Sequence, residues 1–384
     1  MYRNPFSDGE IESRQAAVRG ILEERGLAGA VFAAPESVFW LTGLDHWGYF
    51  APHLLILPVD GRAVLVTRTM ERVTIENQVR AADFRGHSDD VTAAAAAAAV
   101  LREIGLNDSP LGIEQWTAGL SHGLGRELEA RSNVTWTDIS GTLVDELRLV
   151  KSEAEQTLLR QAAAVTDSAA AAAIAAVHDG ATEREVAASC LAAMVKAGGD
   201  PPGFGPFLRP GRRLGEEHAT WGDSAYRAGE PMFLELSGCV ARYHAPLGRL
   251  VHLGQVPAQD ATMAEIAIAA FDAVAAALIP GRTAGDVYAA WQAVVDAAGL
   301  KHYRRHHCGY AVGIGFPPSW TGGNAVIGLK QNSRLIIREA MSFHVLSWLM
   351  GTDRGDYFLS NTVLIGRHGA EILTRLPYAP LARL

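Results

Sequence analysis

Two carboxylates, Glu235 and Glu339, stand inside otherwise apolar strand-like runs, FLELSG and LIIREAMSF. A carboxylate in such a run either faces solvent or is buried, and burial is costly unless a partner comes with it. Strand alternation puts Phe233 and Ser237 on the face of Glu235, with Leu234 and Leu236 on the other, a pattern that suits a semi-polar cavity. A cationic ligand would supply the missing partner, and so would Arg242, Arg249 or Arg338. His218 reads either as an imidazole base able to take a proton from water or as a buried structural histidine. Cys190, Cys239 and Cys308 are odd in number and lack C-x-x-C spacing, so they suggest neither a disulfide framework nor a zinc knuckle.

The elements that must position these groups fall into two halves. Helical spacing over residues 10–25 is followed by strand-like runs at Gly29–Ala33, Leu54–Pro58 and Arg62–Thr67, the last two joined by the turn Val59-Asp60-Gly61. The alanine run within residues 90–106 predicts a helix that Gly105 ends. Lys151-Ser152-Glu153 opens a long helix to about His178, stopped by Asp179-Gly180, and places a boundary near 150, with domains 1–150 and 151–384. Further helices are predicted at Glu183–Ala197, Asp260–Ile279 and Ala284–Ala298, and strands at Pro231–Ser237, Leu247–Leu253, Ser342–Leu346 and Phe358–Ile365. Paired helices with antiparallel-looking strands predict an α+β second domain behind a smaller α/β one.

The net charge of −8 argues against nucleic acid, which demands a basic footprint. Outside the alanine-rich stretches, no run of uncharged apolar residues is long enough to predict a membrane span, and MYRNPFSDGEIESR shows no apolar signal region, so a cytoplasmic location is expected. No G-x-G-x-x-G or G-x-x-x-x-G-K-[ST] loop opens a helix, which leaves nucleotide use unsupported.

The order of His218, the strand around Glu235-Leu-Ser-Gly238, the run Tyr243–Arg249, the segment His306-His307-Cys308-Gly309-Tyr310 and Arg338-Glu339-Ala-Met341 resembles the creatinase/prolidase "pita-bread" family. Leu147-Arg148-x-x-Lys151-Ser152-x-x-Glu155 is similar to the family's entry to its second half. ELSGC, RYHAPL and GIGFPPSW look most like the ectoine-hydrolase branch. The resemblance implies a C-terminal pita-bread domain preceded by a smaller α/β domain. Metal-binding members use two Asp, one His and two Glu; here the resemblance puts Glu235, Pro246, Tyr310, Glu339 and Asn361 at those positions, a poor donor set for a dinuclear site. No metal and no cofactor are therefore expected.

The resemblance to creatinase implies C–N hydrolysis without metal, with His218 as general base and Glu235 and Glu339 as catalytic carboxylates facing a cationic amidine. It implies that Tyr243, His244, His307 and Tyr310 surround a small zwitterionic substrate. It also implies a homodimer in which Trp47 and His53 reach the neighbouring subunit's site. A metal-dependent Xaa-Pro aminopeptidase, a non-catalytic binding protein and a lyase on the same scaffold are the alternatives.

Overall fold

The computed structural model describes residues 4–322 and 326–383, and the chain divides between Arg148 and Leu149 into two compact units. In the first unit, helices α1 (Asp8–Glu24), α2 (Pro35–Thr42), α3 (Arg72–Gln78), α4 (Ala93–Glu103), α5 (His122–Ala130) and α6 (Val144–Leu147) accompany six strands. These are β1 (Gly29–Phe32), β2 (Leu54–Pro58), β3 (Ala63–Arg68), β4 (Ala82–His87), β5 (Pro110–Ile113) and β6 (Thr135–Asp138). They form one mixed sheet in the order β4-β3-β2-β1-β5-β6. Thr92 caps α4 by accepting from the Ala95 amide, and the small alanines let α4 settle on Val31, Ile56 and Val66.

The second unit carries α7 (Glu153–Ala176), α8 (Glu183–Lys196), α9 (Ala258–Ala277) and α10 (Ala284–Ala297). Reciprocal capping boxes start three of them: Ser152 with Glu155, Thr182 with Glu185, and Thr283 with Asp286. Its strands are β7 (Phe207–Pro210), β8 (Pro231–Val240), β9 (Tyr243–Leu253), β10 (Gly309–Ala311), β11 (Ser342–Leu349), β12 (Tyr357–Gly366), β13 (Gly369–Ile372) and β14 (Leu381–Arg383). They form an eight-stranded sheet ordered β10-β11-β12-β9-β8-β7, with β13 on β12 and β14 on β9. The result is the expected α+β pita-bread arrangement.

One face of this sheet is apolar and lies under the helices. Leu234, Leu236, Leu247 and Val251 pack with α7 and α8, while Val345, Leu359 and Val363 pack with α9 and α10. Strand alternation then turns the neighbouring positions, Glu235, Leu346 and Ser360 among them, to the opposite face.

Candidate active site

The opposite face of the sheet is the floor of a cavity of about 350 Å³, a size that suits a small molecule. Cross-strand register aligns its contributors: Phe207 opposite Glu235, Arg209 opposite Phe233, Leu346 opposite Ser360, Trp348 opposite Phe358, and Tyr310 opposite His344. Gly248 lies opposite both Glu235 and Ser360. A side chain at Gly248 would enter the Phe358 ring, its Cβ falling 2.2 Å from a ring carbon, so the glycine leaves the floor open for that ring. Phe204 and Trp320 meet edge to face at 4.8 Å and form a wall, and His218 and Glu217 line the cavity from an exposed turn. The His218 ring lies against Phe204 and Phe207, at 6.3 and 5.4 Å between centroids.

Glu235 has neither a hydrogen bond nor an ion pair among the described residues, although it sits deep in the cavity floor. Burial pushes its carboxyl pKa up to about 7; Arg209 pulls the other way and Glu217 adds to the rise. A carboxyl poised near neutrality in a cleft is the kind of group that exchanges protons or takes a cationic partner. Arg209 lies two residues diagonally from it across the β7–β8 pair, with its guanidinium 4.0 Å from the centroid of the Phe233 ring.

A second network crosses from β10 to β12. The Trp320 indole donates to the Tyr310 hydroxyl at 2.9 Å, that hydroxyl lies 2.9 Å from His344 Nδ1, and His344 Nε2 lies 2.7 Å from Ser360 Oγ. Burial pushes the His344 pKa down to about 3, so the imidazole is neutral at physiological pH. Its single proton can sit on either nitrogen, and with it on Nδ1 the Tyr310 O–H is released toward the cavity. Burial, then Glu235, raises the Tyr310 pKa, which keeps the phenol protonated.

Of the residues singled out in the sequence, the fold brings His218, Glu235, His307 and Tyr310 to this cavity. Glu339 is not among them. It lies exposed on the turn before β11, where Ala340 takes φ 63°, and the strand past the cavity offers Leu346 and Trp348 instead. Asn361 points to the helix side, where its Oδ1 accepts from Arg249 at 3.0 Å and Thr374 at 2.9 Å; the residue on the cavity face is Ser360.

His244 is a buried framework group. Its Nε2 accepts from the Gly203 amide at 2.8 Å and its Nδ1 donates to the Arg242 carbonyl at 2.9 Å, leaving no ring nitrogen for substrate. Tyr243 is equally occupied, its hydroxyl 2.6 Å from Glu155 Oε1 at the start of α7. In the first unit, Trp47 is 64% exposed on a single 3-10 turn, whereas His53 is buried with its Nδ1 against the Ala51 carbonyl and its Nε2 2.9 Å from His46 Nε2. Sequence reading missed Arg209, Trp320, Trp348, His344 and Ser360. The signal for His344 and Ser360 was available, since alternation along two strands already placed them on one face.

A pair of divalent cations would need converging oxygen and imidazole donors. Level with Glu235 this face offers Pro246, Gly248, Leu346, Ser360 and Tyr310, and among the described residues no three His, Cys, Asp or Glu side chains converge to hold a metal ion. This donor set does not fit a two-metal centre.

Fold and cavity together define a creatinase/prolidase-type protein. The profile of metallopeptidase family M24 matches residues 157–367 and that of the creatinase/prolidase N-terminal domain residues 14–150, so the chain belongs to family M24 and is a hydrolase of that family. It is 26% identical to the ectoine hydrolase of Halomonas elongata over 97% of both chains. It is also 25% identical to the Xaa-Pro dipeptidase of Pyrococcus furiosus, over 92% of this chain and 95% of that one. Among solved structures, the prolidase of Thermococcus sibiricus superposes with a TM-score of 0.85 at 19% identity, covering 97% of this chain and 99% of that one.

Proposed function

We propose that this protein hydrolyses a C–N bond in a small cationic amidine or amide, with ectoine or a near relative as the named candidate, and that it does so without metal. The observation that carries the reading is Glu235: a carboxylate with no hydrogen bond or ion pair among the described residues, inside an aromatic-walled cavity whose donor set does not fit a metal pair. An amidinium seated over the floor supplies the partner, beside the wall that Phe204 and Trp320 form.

In this reading a water near the mouth loses a proton to His218 as its oxygen bonds to the amidine carbon. The C–N bond then breaks as the proton held by His218 passes to the departing nitrogen. Tyr310, held by Trp320 and His344, hydrogen-bonds that nitrogen as its charge changes. The hydroxyl proton released when the carbonyl forms is taken up by the freed amine, so that an amidinium and water give an amide and a protonated amine. The enzyme works on this view as a cytoplasmic homodimer.

The test is a mass-spectrometric panel of ectoine, hydroxyectoine, creatine and Xaa-Pro dipeptides, each with and without chelator. Chelator-insensitive turnover of an amidine is expected, with Glu235→Gln and His218→Ala each slowing it by about 100-fold or more. Chelator-sensitive cleavage of the dipeptides alone would reverse the assignment.

A further inference from the structure

The cavity contains a second buried charge for which the protein supplies little. Arg209 is 4% exposed and lines the same space as Glu235. Among the described residues its Nε is buried without a hydrogen-bond partner, and its only hydrogen bond is a long one, 3.4 Å from Nη2 to the Leu214 carbonyl. The guanidinium lies over the Phe233 ring, which holds it in the cavity. Burial lowers its pKa, and the carboxylates that act on it, Glu235, Glu217 and Glu216, do so from a distance, since none forms an ion pair with it. Glu216 is already committed to Arg213 at 2.7 Å.

Register explains why Arg209 and Glu235 do not neutralise one another. Arg209 pairs with Phe233 and Glu235 with Phe207, so the two charges are diagonal neighbours whose Cα atoms are separated by about 7–8 Å. Both side chains open onto one cavity of about 350 Å³ without meeting in it. A buried guanidinium with an unused donor is costly unless a ligand completes it, and its planar fork matches a carboxylate.

We infer that Arg209 recognises a substrate carboxylate, so that Arg209 and Glu235 read the two ends of one small zwitterion. This rests on the proposed function only for the nature of the cationic end. The carboxylate end stands on Arg209, the arginine diagonal to Glu235, and makes it a specificity-determining residue. Arg305, the other cavity arginine with a buried Nε that lacks a hydrogen bond among the described residues, lies over the Trp348 ring, and Arg305→Gln should keep the preference for the acid.

The experiment uses the full chain and two matched ligand pairs: ectoine against the same ring lacking its carboxylate, and an Nγ-acyl diaminobutyrate against the N-acyl diamine lacking the carboxylate. Binding is read by calorimetry and by the fluorescence of Trp320 and Trp348, which line the cavity. The wild type is expected to prefer the acid of at least one pair by about 10- to 100-fold, the range for a charge-assisted contact. Arg209→Gln should reduce that preference to about 3-fold or less while leaving affinity for the uncharged-end partner unchanged. Glu235→Gln should weaken both members of a pair and preserve the preference.

Equal weakening of both members in Arg209→Gln would make the arginine a structural prop. A preference lost equally in Glu217→Gln would make Arg209 a counter-ion to that loop carboxylate. Either result, or failure of the wild type to prefer an acid in both pairs, overturns the inference. Acid-selective binding without turnover would instead leave it standing and remove the proposed C–N hydrolysis of these ligands.

Discussion

Glu235 is stabilising to the fold only when protonated. Its folded pKa near 7 lies above the ordinary carboxyl value near 4.5, so the folded chain holds the proton more tightly than the unfolded one. The stability that this contributes is full below about pH 4.5 and is lost as pH rises through about 7, a change on the order of 3 kcal/mol. Glu235→Gln removes the penalty. Its melting temperature should therefore exceed that of wild type at pH 8 by several degrees, with the difference shrinking toward pH 4.5. A variant equally stable to wild type at pH 8 would place the carboxylate in a solvated setting. The residue was legible in the sequence because a lone acid in FLELSG has to be explained by burial or exposure, and alternation gave its face. Glu339 satisfied the same local test, but the chain turns at Ala340 before the strand starts, and a turn set by one positive-φ residue left no mark in the pattern.

Among the elements, the α7–β8 contact fixes the height of the cavity floor. The Thr166 hydroxyl donates to the Ala245 carbonyl at 2.7 Å and accepts from the Gly238 amide at 2.7 Å, so one helix residue ties both strands of the hairpin. Gly238 permits this approach: a Cβ there would lie 2.5 Å from the Ala162 carbonyl oxygen and 2.7 Å from the Thr166 nitrogen, both backbone atoms that cannot swing away. Gly238→Ala should push the helix off the hairpin and cost about 1–3 kcal/mol, lowering the melting temperature by several degrees and raising KM through a displaced Glu235. An unchanged melting temperature would show that the hairpin yields instead. Helices were readable here because their ends carry capping boxes and glycines. The start of β9 was not, because Pro246 inside the run argues against a central strand. The fold admits it because the ladder with β12 stops at Gly248, where the Thr362 hydroxyl takes over by donating to the Pro246 carbonyl at 2.8 Å.

At the scale of the whole molecule, the proposed homodimer predicts that a second copy of the chain completes each cavity. The first unit has its own sheet and core, and it exposes Trp47 and, at 79%, Phe50 on one short 3-10 turn. Adjacent large apolar side chains on a tight turn are the usual mark of a contact surface. If Trp47 completes the cavity of the partner protomer, then Trp47→Ala and Glu235→Gln each damage both sites of their own homodimer, but by different protomers. Mixing the two variants and allowing exchange then builds one intact site in each mixed dimer. Since half of randomly reassorted dimers are mixed, about a quarter of wild-type activity should return. Co-expression with two affinity tags and isolation of the doubly tagged species should raise the recovery to about half. A mixture no more active than the average of its two parents would show instead that each chain supplies its own site completely, and Trp47 would then have no part in catalysis by the partner.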